Sequence, residues 1–207
     1  MARSSAVCLL ALCLAASAGA ADYAVDANRV VCGDTRFDVL APDLVRMQFS
    51  DQGFTEPPTA VVTNRSLQWT EFSATTDGPW LQLTTERLRL RYRIGSGPFT
   101  SENLRVDFTD ARGHREWTPG VTDEENLGGP VSSFNAIIEE TKPEKTLPPF
   151  PPGFLSRAGC FLLDDSRTPV WNADTDWIEP RTDPQTQDWY LFVYGTGFRA
   201  FFSRYTQ

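Results

Sequence analysis

Histidine is almost absent from this sequence, in which His114 is the only example among 207 residues. A zinc site built mainly of histidines is therefore excluded, and a Ser-His-Asp triad could use no other histidine. Basic side chains are also scarce, since 19 Lys and Arg stand against 27 Asp and Glu and give a formal net charge of -8. That charge disfavours binding to nucleic acid or to anionic membranes. We expect no cofactor, no metal, and no nucleic-acid or membrane partner.

Long apolar runs are missing too, apart from a short one at residues 7–16. Arg3 is the one charged side chain before this run, and small residues follow it. This order is typical of a secretory signal peptide, and the run is shorter than the ~20 residues that a membrane span needs. We therefore predict a signal peptide over residues 1–20, cleaved near Ala20, and a protein of the secretory pathway or the extracellular space. Residues 21–207 would then form the mature domain.

Cysteine is nearly as scarce as histidine. Cys8 and Cys13 fall inside the predicted signal peptide, which leaves Cys32 and Cys160 in the mature domain. These two either form a disulfide, which an oxidising compartment would preserve, or are two buried small apolar residues. Asn64 begins an Asn-x-Ser triplet, which is an acceptor for N-glycosylation if the route is a eukaryotic secretory pathway.

Apolar and polar side chains alternate with a period of two along several short segments, as in half-buried strands. The clearest is residues 86–94, where Leu and Tyr side chains face one way and arginines face the other. Residues 45–49, 104–108 and 190–194 show the same period, the last of them with apolar residues on both faces. No stretch of ~12 residues shows a helical period with end signals. The sequence therefore predicts an all-β fold, an antiparallel β-sandwich.

Four arginines, Arg87, Arg89, Arg91 and Arg93, occupy one side of the clearest strand. A ligand-binding stripe is one interpretation of this row. We favour a solvent-facing side whose arginines pair with acidic residues of neighbouring strands, because every second residue of a half-exposed strand is expected to be polar.

Residues 139–153 contain five prolines in fifteen positions. Proline lacks the backbone donor that a sheet ladder needs, so this segment predicts an extended loop that crosses the surface of the domain. The sequence Asn-Leu-Gly-Gly at residues 126–129 precedes it and predicts a turn where the backbone can approach another segment closely.

Five motifs follow one another along the mature chain. They are RLRLRYRIGSGPFTSENL at residues 87–104, NLGG at 126–129, GFLSRAGCFLLDDS at 153–166, DWIEPR at 176–181 and QDWYLFVYGTGFRAFF at 187–202. In this order they resemble the N-terminal domain of glycoside hydrolase family 31, the α-glucosidase and α-xylosidase family. The resemblance implies a β-sandwich of the galactose-mutarotase type. It also implies a carbohydrate partner of the α-glucoside type and a catalytic barrel that acts in cis or in trans.

The resemblance further implies that the catalytic residues lie elsewhere. The family carries two catalytic carboxylates on a (β/α)₈ barrel, which needs ~250 residues, and its W-x-D-x-N-E type motif does not occur here. Asp164 and Asp165 are adjacent, so on a strand their side chains would face opposite sides and could not cooperate in glycoside cleavage. We predict a turn role for both before Ser166, and no catalytic residue in this chain.

One substrate contact is implied by the resemblance. In the family, a loop of this domain with an Arg-Asp pair reaches the mouth of the barrel's sugar pocket, and Arg157 matches that arginine. Ala158 stands where the family has the aspartate, and an alanine side chain accepts no hydrogen bond from a sugar hydroxyl. We therefore expect Arg157 to be an accessory substrate-binding residue.

Three functions compete at this point. The first is a fragment or separately encoded N-terminal domain of a secreted family 31 hydrolase. The second is a stand-alone carbohydrate-binding module in which exposed aromatic rings among Trp171, Trp177 and Trp189 stack on sugars. The third is a mutarotase-like epimerase, which would need His114 as its acid or base, although that residue is expected in a solvated turn.

The first hypothesis predicts an apolar surface. In the family the sandwich packs against the barrel, so a face that is normally covered would be bare in the isolated chain. The candidate residues for this bare face are Phe150, Phe154, Phe198, Phe201 and Phe202. We expect self-association or dependence on a barrel partner if they form one exposed patch.

Overall fold

The computed structural model describes residues 23–129, 151–182 and 187–207. The predicted signal peptide, most of the proline-rich segment and Phe150 lie outside these ranges. Within them the chain forms thirteen β-strands and one short α-helix, so the predicted all-β class is confirmed. No helix of the described ranges is long and apolar enough to cross a membrane.

The larger sheet contains six antiparallel strands in the order β1-β2-β3-β4-β13-β10. These strands are β1 (Ala24–Asp26), β2 (Arg29–Cys32), β3 (Thr35–Ala41), β4 (Leu44–Phe49), β13 (Gln187–Val193) and β10 (Cys160–Asp164). The pairing of β4 with β13 places Val45 opposite Leu191. The larger sheet therefore joins the two ends of the described chain.

The smaller sheet is a five-stranded antiparallel meander. Its strands are β5 (Ser73–Asp77), β6 (Trp80–Thr84), β7 (Leu88–Arg93), β8 (Leu104–Asp110) and β9 (Gly113–Trp117). Along β7 the two leucines and the tyrosine are buried, whereas the first and last arginines are exposed, which confirms the predicted alternation. Arg89 lies opposite Asp107, as expected for pairing with acidic neighbours. Arg91 instead lies opposite Arg105 and stacks on Trp80 at 5.4 Å.

The two sheets pack face to face around one hydrophobic core. Phe37 of β3 and Tyr92 of β7 meet across it with ring centroids 5.5 Å apart, and Phe99 packs against both rings. The Tyr92 hydroxyl accepts a hydrogen bond from Thr35 Oγ1 at 3.0 Å and donates one to the carbonyl of Gly97 at 2.8 Å. Aromatic burial with both hydrogen bonds satisfied fixes how the sheets face each other.

Helix α1 (Phe198–Tyr205) covers part of the outer face of the larger sheet. Phe201 is 1% exposed and packs on Phe192 and Tyr194 at 5.3 and 4.8 Å. The prediction that this segment is bare is therefore wrong for Phe201, and among the phenylalanines of the helix Phe202, at 45%, is the exposed one. The helix also explains why β13 is apolar on both faces, since one face meets the core and the other meets α1.

Two short strands, β11 (Val170–Asn172) and β12 (Trp177–Glu179), form a separate hairpin. Trp171 pairs with Ile178, and Trp177 pairs with Asn172. Because side chains alternate along a strand, the two tryptophans project from opposite faces of this hairpin.

The two mature-domain cysteines are free thiols. Cys32 lies on β2 and Cys160 on β10, with three strands between them. Since neighbouring strands are ~4.8 Å apart, the distance far exceeds the ~7 Å Cα separation that a disulfide can bridge. The disulfide alternative is therefore wrong. Burial raises the pKa of Cys32 to about 11 and that of Cys160 to about 12.

Candidate functional site

Arg157 lies in a loop, residues 151–159, that precedes β10 and is here called the Arg157 loop. This loop is hydrogen-bonded to the Asn-Leu-Gly-Gly segment. An isolated antiparallel bridge joins Asn126 to Ser156. The amide oxygen of Asn126 accepts hydrogen bonds from the backbone N–H groups of Gly128 and Gly153, at 2.9 and 2.8 Å. Its Nδ2 donates to the carbonyl of Gly153 at 3.0 Å. One asparagine side chain thus joins two motif segments that the sequence separates by the proline-rich stretch.

Glycine is required where these segments touch. A Cβ on Gly153 would overlap the carbonyl oxygen of Gly128 and would lie 2.9 Å from the nitrogen of Gly129. Gly159 has a φ of +82°, and a Cβ there would lie 2.9 Å from the Cα of Gly195. The close backbone approach predicted for the Asn-Leu-Gly-Gly turn is therefore confirmed, and a second close approach joins the third motif to the fifth.

Tyr194 fixes the base of the Arg157 loop. Its hydroxyl accepts a hydrogen bond from the backbone N–H of Ser156 at 2.8 Å and lies 3.2 Å from the carbonyl oxygen of Cys160. Burial raises the pKa of Tyr194 to about 12, so the phenol stays protonated at neutral pH and can donate to that carbonyl. The loop therefore begins from a fixed position on β10 and β13.

Two arginines from β9 and the turn before it bind the backbone of the Arg157 loop. The guanidinium groups of Arg112 and Arg115 both donate to the carbonyl oxygen of Arg157, the second at 3.2 Å. Arg112 also pairs with Asp110, and this hydrogen bond holds the pKa of Asp110 below its usual value. Arg115 pairs with Glu125 at 2.9 Å. The backbone at Arg157 is therefore fixed, whereas its side chain is exposed.

A cavity of about 310 Å³ lies beside this loop, between the β8–β9 turn and the segment that joins β13 to α1. Asp110, Arg87, Tyr194 and Gly195 are among its lining residues. Asp110 connects the cavity to the loop because it also binds Arg112. The volume falls at the lower end of the ~300–1,000 Å³ range of small-molecule sites.

The three tryptophans expected at the surface do not lie together. Trp177 is 71% exposed and Trp171 is 40% exposed, both on the β11–β12 hairpin. Trp189 is partly buried in the main core, with its ring 5.6 Å from that of Phe99, so its predicted role as an exposed platform is wrong.

His114 lies on β9 rather than in the turn before it. Its Nε2 is 3.3 Å from an oxygen of Asp107, and ligand atoms of Asp107, His114 and Glu116 all lie within 4.8 Å of one another. These three exposed or half-buried residues could hold a metal ion. Arg105, however, binds both carboxylates, at 3.1 and 2.8 Å, and a cation would have to displace its guanidinium.

The two adjacent aspartates have different roles. Asp164 accepts a hydrogen bond from the backbone N–H of Ser166 at 3.0 Å, as the turn role predicts. Asp165 also begins this turn, since its carbonyl accepts from the N–H of Thr168 at 3.2 Å. Its side chain is fully buried, accepts from Thr59 Oγ1 at 2.9 Å and pairs with Arg65 at 3.0 Å. Sequence reasoning missed this carboxylate because its partners lie about a hundred positions earlier.

Asn64 is exposed, and its side chain donates to the backbone carbonyl of Gln207 at 2.7 Å. Its amide oxygen accepts from the N–H of Ser66 at 2.9 Å, which forms a compact turn. An exposed asparagine in a turn is sterically open to modification, and its glycosylation stays a prediction.

Among known proteins, similarity to this chain is found in solved structures. No family model matches this chain, and no curated protein matches it. Among solved structures, two of the GH31 dextranase FjDex31A from Flavobacterium johnsoniae are similar, one of a mutant complexed with isomaltotriose and one complexed with glucose. Each is 14% identical with a TM-score of 0.47, and the match covers 90% of this chain. The chain spans 27% of the length of the dextranase chain.

Proposed function

We propose that this chain is an accessory, carbohydrate-contacting β-sandwich domain of the kind found at the N-terminus of family 31 glycoside hydrolases. It would act with a catalytic barrel, in cis or in trans, in the secretory pathway or outside the cell. The observation that carries the proposal is that three of the five motifs, at residues 126–129, 153–166 and 187–202, contact one another in the structure. Asn126, Ser156 and Tyr194 come from the three motifs and meet at one end of the sandwich.

This arrangement supports the resemblance in a way that the motifs alone could not. Short motifs of glycine, asparagine and aromatic residues occur by chance. Motifs that occur by chance would not be expected to share hydrogen bonds. Nor would they be expected to require glycine where two backbone segments touch, as they do at Gly153 and Gly159.

Within this proposal, Arg157 makes the sugar contact. Arg112 and Arg115 fix its carbonyl, so the side chain is presented to solvent from a rigid backbone. A guanidinium has five N–H donors and no acceptor, which suits sugar hydroxyl oxygens. Because Ala158 follows, the contact would be made by donors alone.

Exposed apolar residues in this loop, in the segment bonded to it and on α1 support the barrel partner. Phe154, Leu127 and Phe202 are 44%, 48% and 45% exposed. Phe154 packs on Tyr205 of α1 at 4.9 Å, so the helix and the loop are in contact. A docked domain would cover these exposed side chains.

Calorimetric titration of the full chain with isomaltotriose tests the proposal. We expect weak binding that is lost in Arg157→Ala and kept in Arg167→Ala, which removes an exposed arginine from a distant turn. Binding that survives Arg157→Ala would contradict the proposed site. We also expect no hydrolysis of a chromogenic α-glucoside, since the chain lacks the family's catalytic motif.

A stand-alone carbohydrate-binding module is the second candidate, and the exposure of Trp171 and Trp177 favours it. In that case Trp177→Ala would abolish sugar binding and Arg157→Ala would not. The epimerase hypothesis depends on His114 and stays a prediction. Mutarotation of free glucose that disappears in His114→Ala would support it.

A further inference from the structure

The segment that joins β4 to β5 packs over the charged half of the larger sheet's outer face. Glu56, from this segment, pairs with Arg29 and Arg36 of the sheet at 2.7 and 2.6 Å. Arg65, also from the segment, donates to the carbonyl of Pro57 at 3.0 Å and to Asp165 at 3.0 Å. Charged contacts therefore hold residues 50–72 on the sheet.

The carboxylates beneath this segment are already bound to arginines. Arg46 makes two hydrogen bonds of 2.8 Å to Asp188, and both side chains are almost fully buried. Asp38 accepts from Arg29 at 2.9 Å and from Arg36 at 2.7 Å. These carboxylate oxygens already accept charge-assisted hydrogen bonds from guanidinium groups.

Three buried groups of Arg65 and Tyr190 have no hydrogen-bond partner in the described part of the chain. They are Nε and Nη1 of Arg65 and the hydroxyl of Tyr190. Tyr190 is 3% exposed, and its ring lies 5.6 Å from the Arg65 guanidinium carbon and 5.4 Å from that of Arg46. Buried donors without acceptors are costly and rare in folded proteins.

Arg65 and Tyr190 line a small polar cavity of about 30 Å³. That volume exceeds the ~10–15 Å³ that one water-sized particle needs and is far below the ~300 Å³ of a small-molecule site. Its ionisable lining residues other than Tyr190 are Arg29, Arg46, Arg65, Asp38 and Glu56, three cations against two anions. Burial and, after it, the charge of Arg46 lower the pKa of Arg65.

We propose that this cavity is a binding site for a small monovalent anion of the size of chloride, held by Arg65 and Tyr190. A halide accepts hydrogen bonds from several donors and brings none of its own. A water molecule would instead add two protons that need acceptors. The anion would balance the extra positive charge of the lining and fasten residues 50–72 to the sheet.

Thermal unfolding of the full chain in sodium chloride and in sodium isethionate, at equal ionic strength, tests the proposal in solution. Isethionate is too bulky for the cavity. We expect a saturable rise in Tm of several degrees in chloride, because a ligand that binds only the folded state stabilises it. Arg65→Gln should abolish the rise, and Arg167→Gln should keep it. Equal Tm values in the two salts would overturn the proposal.

Tyr190→Phe keeps the test decisive if Arg65→Gln fails to fold. Removing an unpartnered buried hydroxyl should leave Tm unchanged or raise it in isethionate. If the hydroxyl holds an anion, the same change should reduce the rise that chloride produces. An undiminished chloride effect in Tyr190→Phe would overturn the role of the tyrosine and, with it, the site.

Anomalous diffraction from crystals of the full chain grown in sodium bromide locates the ion. We expect an anomalous peak in contact with Arg65 Nε and the Tyr190 oxygen. Water density there without an anomalous peak would overturn the proposal. An anomalous peak in the crystal without any effect of halide on Tm in solution would also overturn the proposal.

Discussion

The hydroxyl of Tyr194 accepts a hydrogen bond from the backbone N–H of Ser156 at 2.8 Å. The two residues are 38 positions apart, one at the end of β13 and the other in the Arg157 loop. This contact ties the loop that we propose for sugar binding to the end of β13 in the larger sheet.

Tyr194→Phe should lower the free energy of unfolding by about 1–2 kcal/mol, because the buried N–H of Ser156 loses its acceptor. Chemical denaturation measures this change. Tyr205→Phe is the control, since the Tyr205 hydroxyl makes no hydrogen bond within the described residues. Equal stability of the two variants would contradict the role of Tyr194.

Gly153→Ala should destabilise the Arg157 loop by more than Gly78→Ala destabilises its own turn. A Cβ at Gly153 overlaps the backbone of Gly128, whereas a Cβ at Gly78 meets nothing within 4 Å and adds only the strain of a φ of +57°. That strain is ~1–2 kcal/mol for a residue other than glycine. Amide hydrogen exchange of residues 151–160 reports the loss, and unchanged protection there would contradict the close approach.

Phe201→Ala should lower the free energy of unfolding by ~3–5 kcal/mol, because Phe201 is 1% exposed and lies on the side of α1 that faces the larger sheet. Phe202→Ala should have a much smaller effect, since 45% of that side chain is exposed. Urea denaturation of both variants makes the comparison. Similar losses at the two positions would mean that the helix does not pack as described.

Stability should fall in acid because of Asp188. Burial alone would raise the pKa of Asp188, but the hydrogen-bonded guanidinium and the charge of Arg46 outweigh it and lower the pKa. A carboxyl with a lowered folded pKa stabilises the protein fully above its unfolded value of ~3.9 and loses that contribution as the pH falls through its folded pKa.

Urea denaturation between pH 2 and pH 7 tests this. Asp188→Asn should be ~3–5 kcal/mol less stable at pH 7, because Arg46 remains buried without its counter-charge, and its stability should depend less on pH below pH 4. Asp174→Asn, at an exposed position, should keep the pH dependence. A pH profile unchanged by Asp188→Asn would contradict the assignment.

Cys32 and Cys160 should resist thiol reagents in the native state. Burial raises the pKa of Cys32 to about 11 and that of Cys160 to about 12, so little thiolate is present at neutral pH. Labelling should be slow until the protein unfolds. Peptide mapping without reduction checks for a disulfide. A disulfide-linked peptide that contains both cysteines would contradict the separation of β2 and β10.

The period of two in the sequence predicted much of the sandwich. It identified β4, β7, β8 and β13 because each has at least one face that meets the core. It missed α1, whose eight residues are too few to show a helical period. It also could not place Trp189, since both faces of β13 are apolar and the sequence does not say which one meets the core.

The candidate site was predictable only in part. Glycine and asparagine at residues 126–129 predicted a close backbone approach, and the resemblance indicated Arg157. The support from Arg112 and Arg115 was not visible, because it joins segments more than forty positions apart. The cluster around Arg65 and Asp165 was missed for the same reason, since its charges are paired only in three dimensions.

A titration of the ¹⁵N-labelled full chain with isomaltotriose, followed residue by residue by NMR, tests the central claim most directly. We predict that the largest shift changes fall on the Arg157 loop and on the neighbouring residues 126–129, and that Arg157→Ala abolishes them. Shift changes confined to the indole N–H groups of Trp171 and Trp177, or no change at millimolar sugar, would contradict the account.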